Sequence, residues 1–164
     1  MAPKSPRKGN SFDLTQSPSH LLRRGVQLAN DLFMRELGQS ELTKQQFTVL
    51  AAVEQNEGVS QTDLVGVTGI DRSTLAEMIR RMIDRGLLAR QRTETDQRAN
   101  AVHLGANGRK ALRSARSASE RVEKSLLSFL PAGDRAKFVR MLTSLVAEAE
   151  KPGTEKRSPA AKRR

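Results

Sequence analysis

The chain contains no cysteine in 164 residues and only two histidines. Without thiols there can be no disulfide, iron–sulfur cluster or thiolate metal site, and no sensing of oxidants through a reactive sulfur. Transition-metal sites gather several His, Cys or carboxylate ligands, so His20 and His103 do not lead us to expect one. His103 lies between Val102 and Leu104, a surface position on a strand. No apolar run approaches the ~18 residues of a membrane span. The basic N-terminus lacks the apolar segment of a secretory signal. A soluble, cytoplasmic chain is expected. Paired carboxylates in a pocket-forming segment, a nucleophile motif and a phosphate-cradling Gly loop are missing as well, so no catalytic residue and no cofactor is assigned.

Acids are scarce: 18 against 29 Lys and Arg, a formal net charge of +11. The excess is concentrated at the ends. Residues 151–164 hold six cations and one acid, and residues 1–18 hold three and one, which leaves +4 for residues 19–150. A polyanionic partner is expected, with much of the attraction coming from the tails. The first 18 residues, rich in Pro, Lys, Arg and Ser, read as a disordered arm, and residues 150–164 as a disordered basic tail.

The stretch from Ser60 to Leu104 organises the rest. Ser60 with Asp63 three residues on has capping-box spacing, predicting a short helix to about Val67 that Gly69 ends. Asp71 opens a second helix. Its Leu75, Met78, Ile79, Met82 and Ile83 recur at steps of three and one, the period of one helix face. The opposite face carries Arg72, Ser73, Thr74, Glu77, Arg80, Arg81 and Arg85, and Gly86 closes the helix. Two helices around a short Gly-containing turn predict a helix-turn-helix whose second helix suits the DNA major groove. Leu87–Gln91 and Ala101–Leu104 then predict two strands joined by a polar tip, a wing beside the helix-turn-helix.

Candidate DNA contacts are Ser60, Gln61, Arg72, Ser73, Thr74, Glu77, Arg80 and Arg81 on the two helices, and Arg92 and Arg98 on the wing. Arginine can grip guanine through two hydrogen bonds or enter a narrow minor groove, and hydroxyls adapt to several base edges. The alternative for Ser73 and Thr74 is capping of their own helix; for Arg80 and Arg81 it is a solvated face. Asp96 would repel phosphate, so it reads as a loop-positioning residue with Arg90 or Arg92 as partner.

Helices flank this core. Residues 19–38 carry Leu22, Val26, Ala29, Phe33 and Leu37 in one stripe, widened by Leu21, Leu28 and Leu32. Thr43 and Gln46 form a second capping box, opening a helix to about Val53. Residues 107–130 predict a long helix with Ala111, Ala115, Ala118, Val122, Leu126 and Phe129 inward and Arg109, Lys110, Arg113 and Arg116 outward. After Pro131 a last helix presents Phe138, Met141, Leu142, Leu145 and Val146 on one face. The first and last helices are too apolar to stand alone, which predicts a two-fold homodimer.

Asp96-Gln-Arg98, the alternating Val102-His-Leu104 and Gly108, together with Asp71-Arg-Ser-Thr-Leu75 and Gly86-Leu-Leu88, resemble the MarR family of bacterial transcriptional regulators. The resemblance covers about residues 19–149, with the winged helix-turn-helix at about 43–104 and dimerisation helices at about 19–38 and 107–149. Gly105 departs from the family's usual Thr. The resemblance implies a mainly α fold with a β-hairpin wing, and a dimer on a pseudo-palindromic double-stranded operator whose half-sites lie ~10 base pairs apart. It also implies a small effector, an aromatic acid or its coenzyme A thioester, held between the dimer helices and the winged domain. His20, Arg24, Asn30, Phe33, Phe47 and Arg113 are the candidate lining. The alternative is a ligand-independent architectural DNA-binding protein.

Overall fold

The computed structural model describes residues 12–38, 42–90 and 101–151. Six helices follow in order: α1 (Pro18–Leu37), α2 (Lys44–Gln55), α3 (Gln61–Thr68), α4 (Arg72–Asp84), α5 (Ala106–Ser128) and α6 (Ala132–Ala149). Three short strands, β1 (Val59–Ser60), β2 (Leu88–Arg90) and β3 (Ala101–Leu104), form one antiparallel sheet in the order β1-β3-β2. The fold is mainly helical with a small sheet, as the residue pattern predicts.

Local chemistry sets the helix starts. Thr43 and Gln46 form the expected reciprocal box: the Gln46 N–H donates to the Thr43 hydroxyl at 3.2 Å, and the Thr43 N–H donates to Gln46 Oε1 at 3.1 Å. Ser60 accepts from the Asp63 N–H at 3.1 Å, but the Asp63 carboxylate meets the Ser60 hydroxyl at 2.7 Å instead of the cap backbone. Gly69 ends α3 in the left-handed conformation, and its N–H donates to the Val65 carbonyl.

The core lies beneath α4. Leu75, Ile79 and Met82 are fully buried, together with Phe33 of α1, Val49, Leu50 and Val53 of α2, Leu64 of α3, Leu88 and Val102 of the sheet, and Leu112 and Val122 of α5. β2 and β3 pair as the wing requires, Leu88 opposite Leu104 and Arg90 opposite Val102. β1 pairs with the other edge of β3, Val59 opposite Val102 and Ser60 opposite Ala101. Two residues are too few to show a strand period, so no residue pattern announces this third strand.

Two details differ from expectation. Within the span 1–18 read as an arm, Asp13 caps a 3₁₀ turn at Leu14–Gln16, accepting from the Thr15 N–H at 2.9 Å. The inner stripe of α5 is Gly108, Leu112, Ala115, Ala118, Ser119 and Val122, whereas Phe129 is 66% exposed. Leu112 takes the place expected of Ala111; both fit a 3.6-residue period, and the side facing α2 decides between them. The departure at Gly105 has a physical reason. An added Cβ there would fall well inside the Gly86 carbonyl oxygen and 3.2 Å from the Leu87 carbonyl carbon. The family's Thr does not fit this backbone, so the departure is dictated by close packing of the β3–α5 turn on the α4–β2 turn.

Four ion pairs tie the first part of α5 to α1, α2 and the loop after α2. Arg121 meets Glu36 at 2.6 Å, Lys44 meets Glu123 at 3.0 Å, Arg116 meets Glu54 at 2.7 Å and Arg109 meets Glu57 at 3.2 Å. Glu57 also accepts from or pairs with His103 Nδ1 at 3.1 Å, joining β3 to the same group. Such exposed pairs contribute little individually; they favour one register of α5 over its neighbours. In α6 no residue is buried, and Val139, Met141, Leu145 and Val146 are exposed.

Candidate nucleic-acid interface

α4 divides cleanly. Leu75, Met78, Ile79 and Met82 anchor it in the core, while every exposed residue is polar or charged: Arg72, Ser73, Thr74, Glu77, Arg80, Arg81 and Asp84. At ~100° per residue, Ser73, Thr74, Glu77, Arg80, Arg81 and Asp84 fall within about a third of the helix circumference. α3 precedes this helix across the Gly69 turn, with Ser60 as its cap and Gln61 as its first residue. The paired bases of β2 and β3 follow it. Arg92, Asp96 and Arg98 lie outside the described residues.

The hydroxyls at the start of α4 are engaged. Asp71 Oδ1 accepts from the Thr74 N–H at 2.9 Å and the Ser73 hydroxyl at 2.7 Å. The Thr74 hydroxyl, the Thr74 N–H and the Ser73 hydroxyl, in that order of effect, lower the Asp71 pKa from the ordinary 3.8 to about 2. The folded state thus binds this proton more weakly than the unfolded chain. The stabilisation is complete above the ordinary carboxylate range and is lost as pH falls toward 2. Asp71→Ala should lower the melting temperature by a few degrees at neutral pH. That difference from the wild type should shrink between pH 4 and 2.5; a difference independent of pH would show that the carboxylate charge is not what caps α4.

Further along α4, Arg80 donates from Nη2 and Nε to the two oxygens of Glu77 at 2.7 and 3.1 Å, and its Nη1 lies 3.5 Å from Asp84. Arg81 Nε lies 3.7 Å from the same Glu77. The Arg80 hydrogen bond is the chief reason the Glu77 carboxyl sits below its ordinary pKa. Asp84 was not among the sequence candidates. Its spacing, four residues beyond Arg80 and seven beyond Glu77, was the available signal.

The six effector candidates are spread over three helices. Phe33 is fully buried, and its ring lies 5.5 Å from that of Phe47 at an interplanar angle of 48°. Lys44, not singled out from sequence, places Nζ 5.3 and 5.5 Å from the two ring centroids and donates to the hydroxyl of the buried Ser119 at 3.3 Å. His20 and Asn30 are half-buried on α1, while Arg24 and Arg113 are exposed on α1 and α5. A separate open groove of about 630 Å³ has Leu37, Leu87 and Ala111 among its apolar lining and Arg85, Asn107 and Lys110 among its polar lining. None of the six candidates lines it. Among the described residues, no group of three His, Cys, Asp or Glu could hold a metal ion, and no helix is long and apolar enough to cross a membrane.

A helix-turn-helix followed by a paired hairpin, with a long helix on either side, is the winged helix-turn-helix class. The MarR family model matches residues 40–99. The transcriptional regulator HosA of Escherichia coli O157:H7 is 32% identical over 127 residues, which are 77% of this chain and 93% of HosA. The structure is similar to BpsR of Bordetella bronchiseptica, solved to explain regulation of its DNA binding by 6-hydroxynicotinic acid. The TM-score is 0.73, with 29% identity over 83% of this chain and 97% of BpsR. It is also similar to the repressor CouR, solved on a 23-mer DNA duplex (TM-score 0.69, 28% identity, 80% of this chain and 94% of CouR). CouR bound to p-coumaroyl-CoA gives a TM-score of 0.71 at 26% identity over 82% and 95% of the two chains. The chain belongs to the MarR family of transcriptional regulators.

Proposed function

We propose that this chain acts in the cytoplasm as a dimeric, sequence-specific transcriptional repressor, with no enzymatic activity, that occupies a pseudo-palindromic operator and is released by a small aromatic acid or its coenzyme A thioester. The observation that carries the reading is α4: a helix fixed in the core by four buried side chains, with an exposed face that is wholly polar. That face, flanked by α3 and the base of the hairpin, has the placement a major-groove helix needs. Arg72 at its N-terminal end is the candidate for base edges, Arg81 for phosphate, and Arg92 and Arg98 for the minor groove beside it. Ser60 and Gln61 stand at the start of α3, where backbone phosphates pass in this docking mode.

Dimerisation is supported by the apolar side chains left exposed on α1 (Leu21, Leu22 and Val26) and on α6 (Val139, Met141, Leu145 and Val146). Burying them against a second copy would set two α4 helices one DNA turn apart. For the effector, the support is BpsR and CouR, whose ligands are an aromatic acid and an aromatic thioester. His20, Arg24, Asn30, Phe47 and Arg113 are the proposed lining, with Phe33 as the wall behind Phe47. Release follows if the ligand prefers a dimer whose α4 spacing mismatches the duplex; affinity for DNA then falls by that preference.

Footprinting of the gene's own upstream region tests the reading. One protected palindrome is expected; diffuse protection would favour the architectural alternative. In a mobility-shift titration on that palindrome, Arg98→Ala should weaken binding about tenfold. Unchanged affinity would remove the wing from the interface.

A further inference from the structure

A helix meant for a polyanion should be strongly cationic, yet α4 with its two caps carries a single net positive charge: Asp71, Glu77 and Asp84 stand against Arg72, Arg80, Arg81 and Arg85. The acids are also placed to matter. Glu77 takes Arg80 in a two-point, parallel hydrogen-bonded grip at 2.7 and 3.1 Å, the same geometry by which Arg reads guanine or clasps phosphate. Asp84 meets the remaining terminal nitrogen from the next turn at 3.5 Å, and Arg81 approaches Glu77 from the other side at 3.7 Å. All four side chains are exposed, so packing does not force the arrangement.

We propose that Glu77 is a specificity-determining residue that works by occupying the Arg80 guanidinium whenever the duplex does not offer a better partner. This rests on the DNA-binding reading above. A random phosphate can bind Arg80 only by displacing a carboxylate already aligned with it. Non-specific binding, which is nearly all phosphate electrostatics, therefore loses one contact per subunit. A matched site changes the balance. There α4 is held at a fixed depth, and the Glu77 carboxylate can itself accept from a cytosine amino group, which frees Arg80 for the backbone. The pair thus penalises wrong DNA more than right DNA, which is how specificity arises from a difference of affinities. Surface ion pairs are weak, so the effect should be modest and strongly salt-dependent.

The test is a double-mutant cycle of Glu77→Gln, Arg80→Gln and the pair, made in the full-length chain. Fluorescence anisotropy would be read on two probes, a random-sequence 30-mer duplex and a 30-mer enriched from a random pool by the wild-type chain. On the random probe Glu77→Gln should bind about three- to tenfold tighter, and its salt slope should steepen by about two per dimer as two arginines are released. On the random probe Arg80→Gln should have little effect in the wild-type background and a several-fold effect in the Glu77→Gln background, whereas on the enriched probe it should weaken binding in both. On the enriched probe Glu77→Gln should tighten binding less, or weaken it, so the ratio between the probes falls. Simple loss of a repelling charge predicts something else: independent effects of the two substitutions and equal tightening on both probes. That result, or no change on the random probe, overturns the proposal. Failure of the wild-type chain to bind either duplex would instead sink the DNA-binding reading, and the role of Glu77 with it.

Discussion

Gly108→Ala should destabilise the chain by about 3 kcal/mol, lowering the melting temperature by roughly 10 °C. Gly108 lies in the first turn of α5, where an added Cβ would fall deep inside the Leu87 carbonyl oxygen, 2.9 Å from the Leu87 carbonyl carbon and 3.1 Å from Leu50 Cδ2. Two of those three atoms are backbone, at the junction between α4 and β2, and cannot swing aside. Either α5 moves away from the sheet or the turn carrying α4 is displaced. Gly25 and Gly66 provide the contrast. Both lie inside helices, and an added Cβ at either meets nothing within 4 Å. Alanine at Gly66 should stabilise by up to about 1 kcal/mol through helix propensity alone. Thermal unfolding followed by circular dichroism settles both signs; a Gly108→Ala variant that melts with the wild type would mean α5 does not pack as closely as described.

Met141→Glu combined with Leu145→Glu should leave a folded chain that no longer dimerises at micromolar concentration and binds its operator at least ~100-fold more weakly. Both side chains are more than half exposed on α6, so charge there is harmless to an isolated subunit. Placed in the apolar contact proposed between copies, the four glutamates of a dimer would be desolvated without partners. Separating the subunits converts a bivalent grip on two half-sites into a single one, and linked sites gain factors of ~10²–10⁴ over either alone. Sedimentation and mobility shift on the operator read the two consequences separately. A variant that stays dimeric would place the interface elsewhere.

Much of this was legible before any coordinates because the signals were local. Ser60, Thr43 and Asp71 are caps whose partners lie three residues away, and Gly69 and Gly86 stop helices through their own backbone freedom, so the boundaries of α2, α3 and α4 could be read within two residues. The buried face of α4 followed from spacing alone. What escaped was set by contacts distant in sequence. β1 exists only because β3 offers it an edge 41 to 43 residues later (Val59 with Val102 and Ser60 with Ala101). The choice of Leu112 over Ala111 depends on how α5 meets α2. Phe33, a candidate for the effector lining, lies under Phe47 with Lys44 across both rings, an arrangement made by α1 and α2 together. On α4 the missed feature was nearer at hand. Glu77 was legible as a polar residue of the exposed face, but its pairing with Arg80, and Asp84 one turn further on, were not. Arg92, Asp96 and Arg98 lie outside the described residues, so the wing tip rests on its motif.

Ser60 holds two appointments. It is the partner of Ala101 across the sheet and the residue whose hydroxyl caps α3. One edge of the hairpin is therefore fastened to the root of the helix-turn-helix, and a twist given to either is handed to the other. Parts joined in this way behave as a single lever. The distance between β3 and α3 is inherited as a unit and would have to be altered as one.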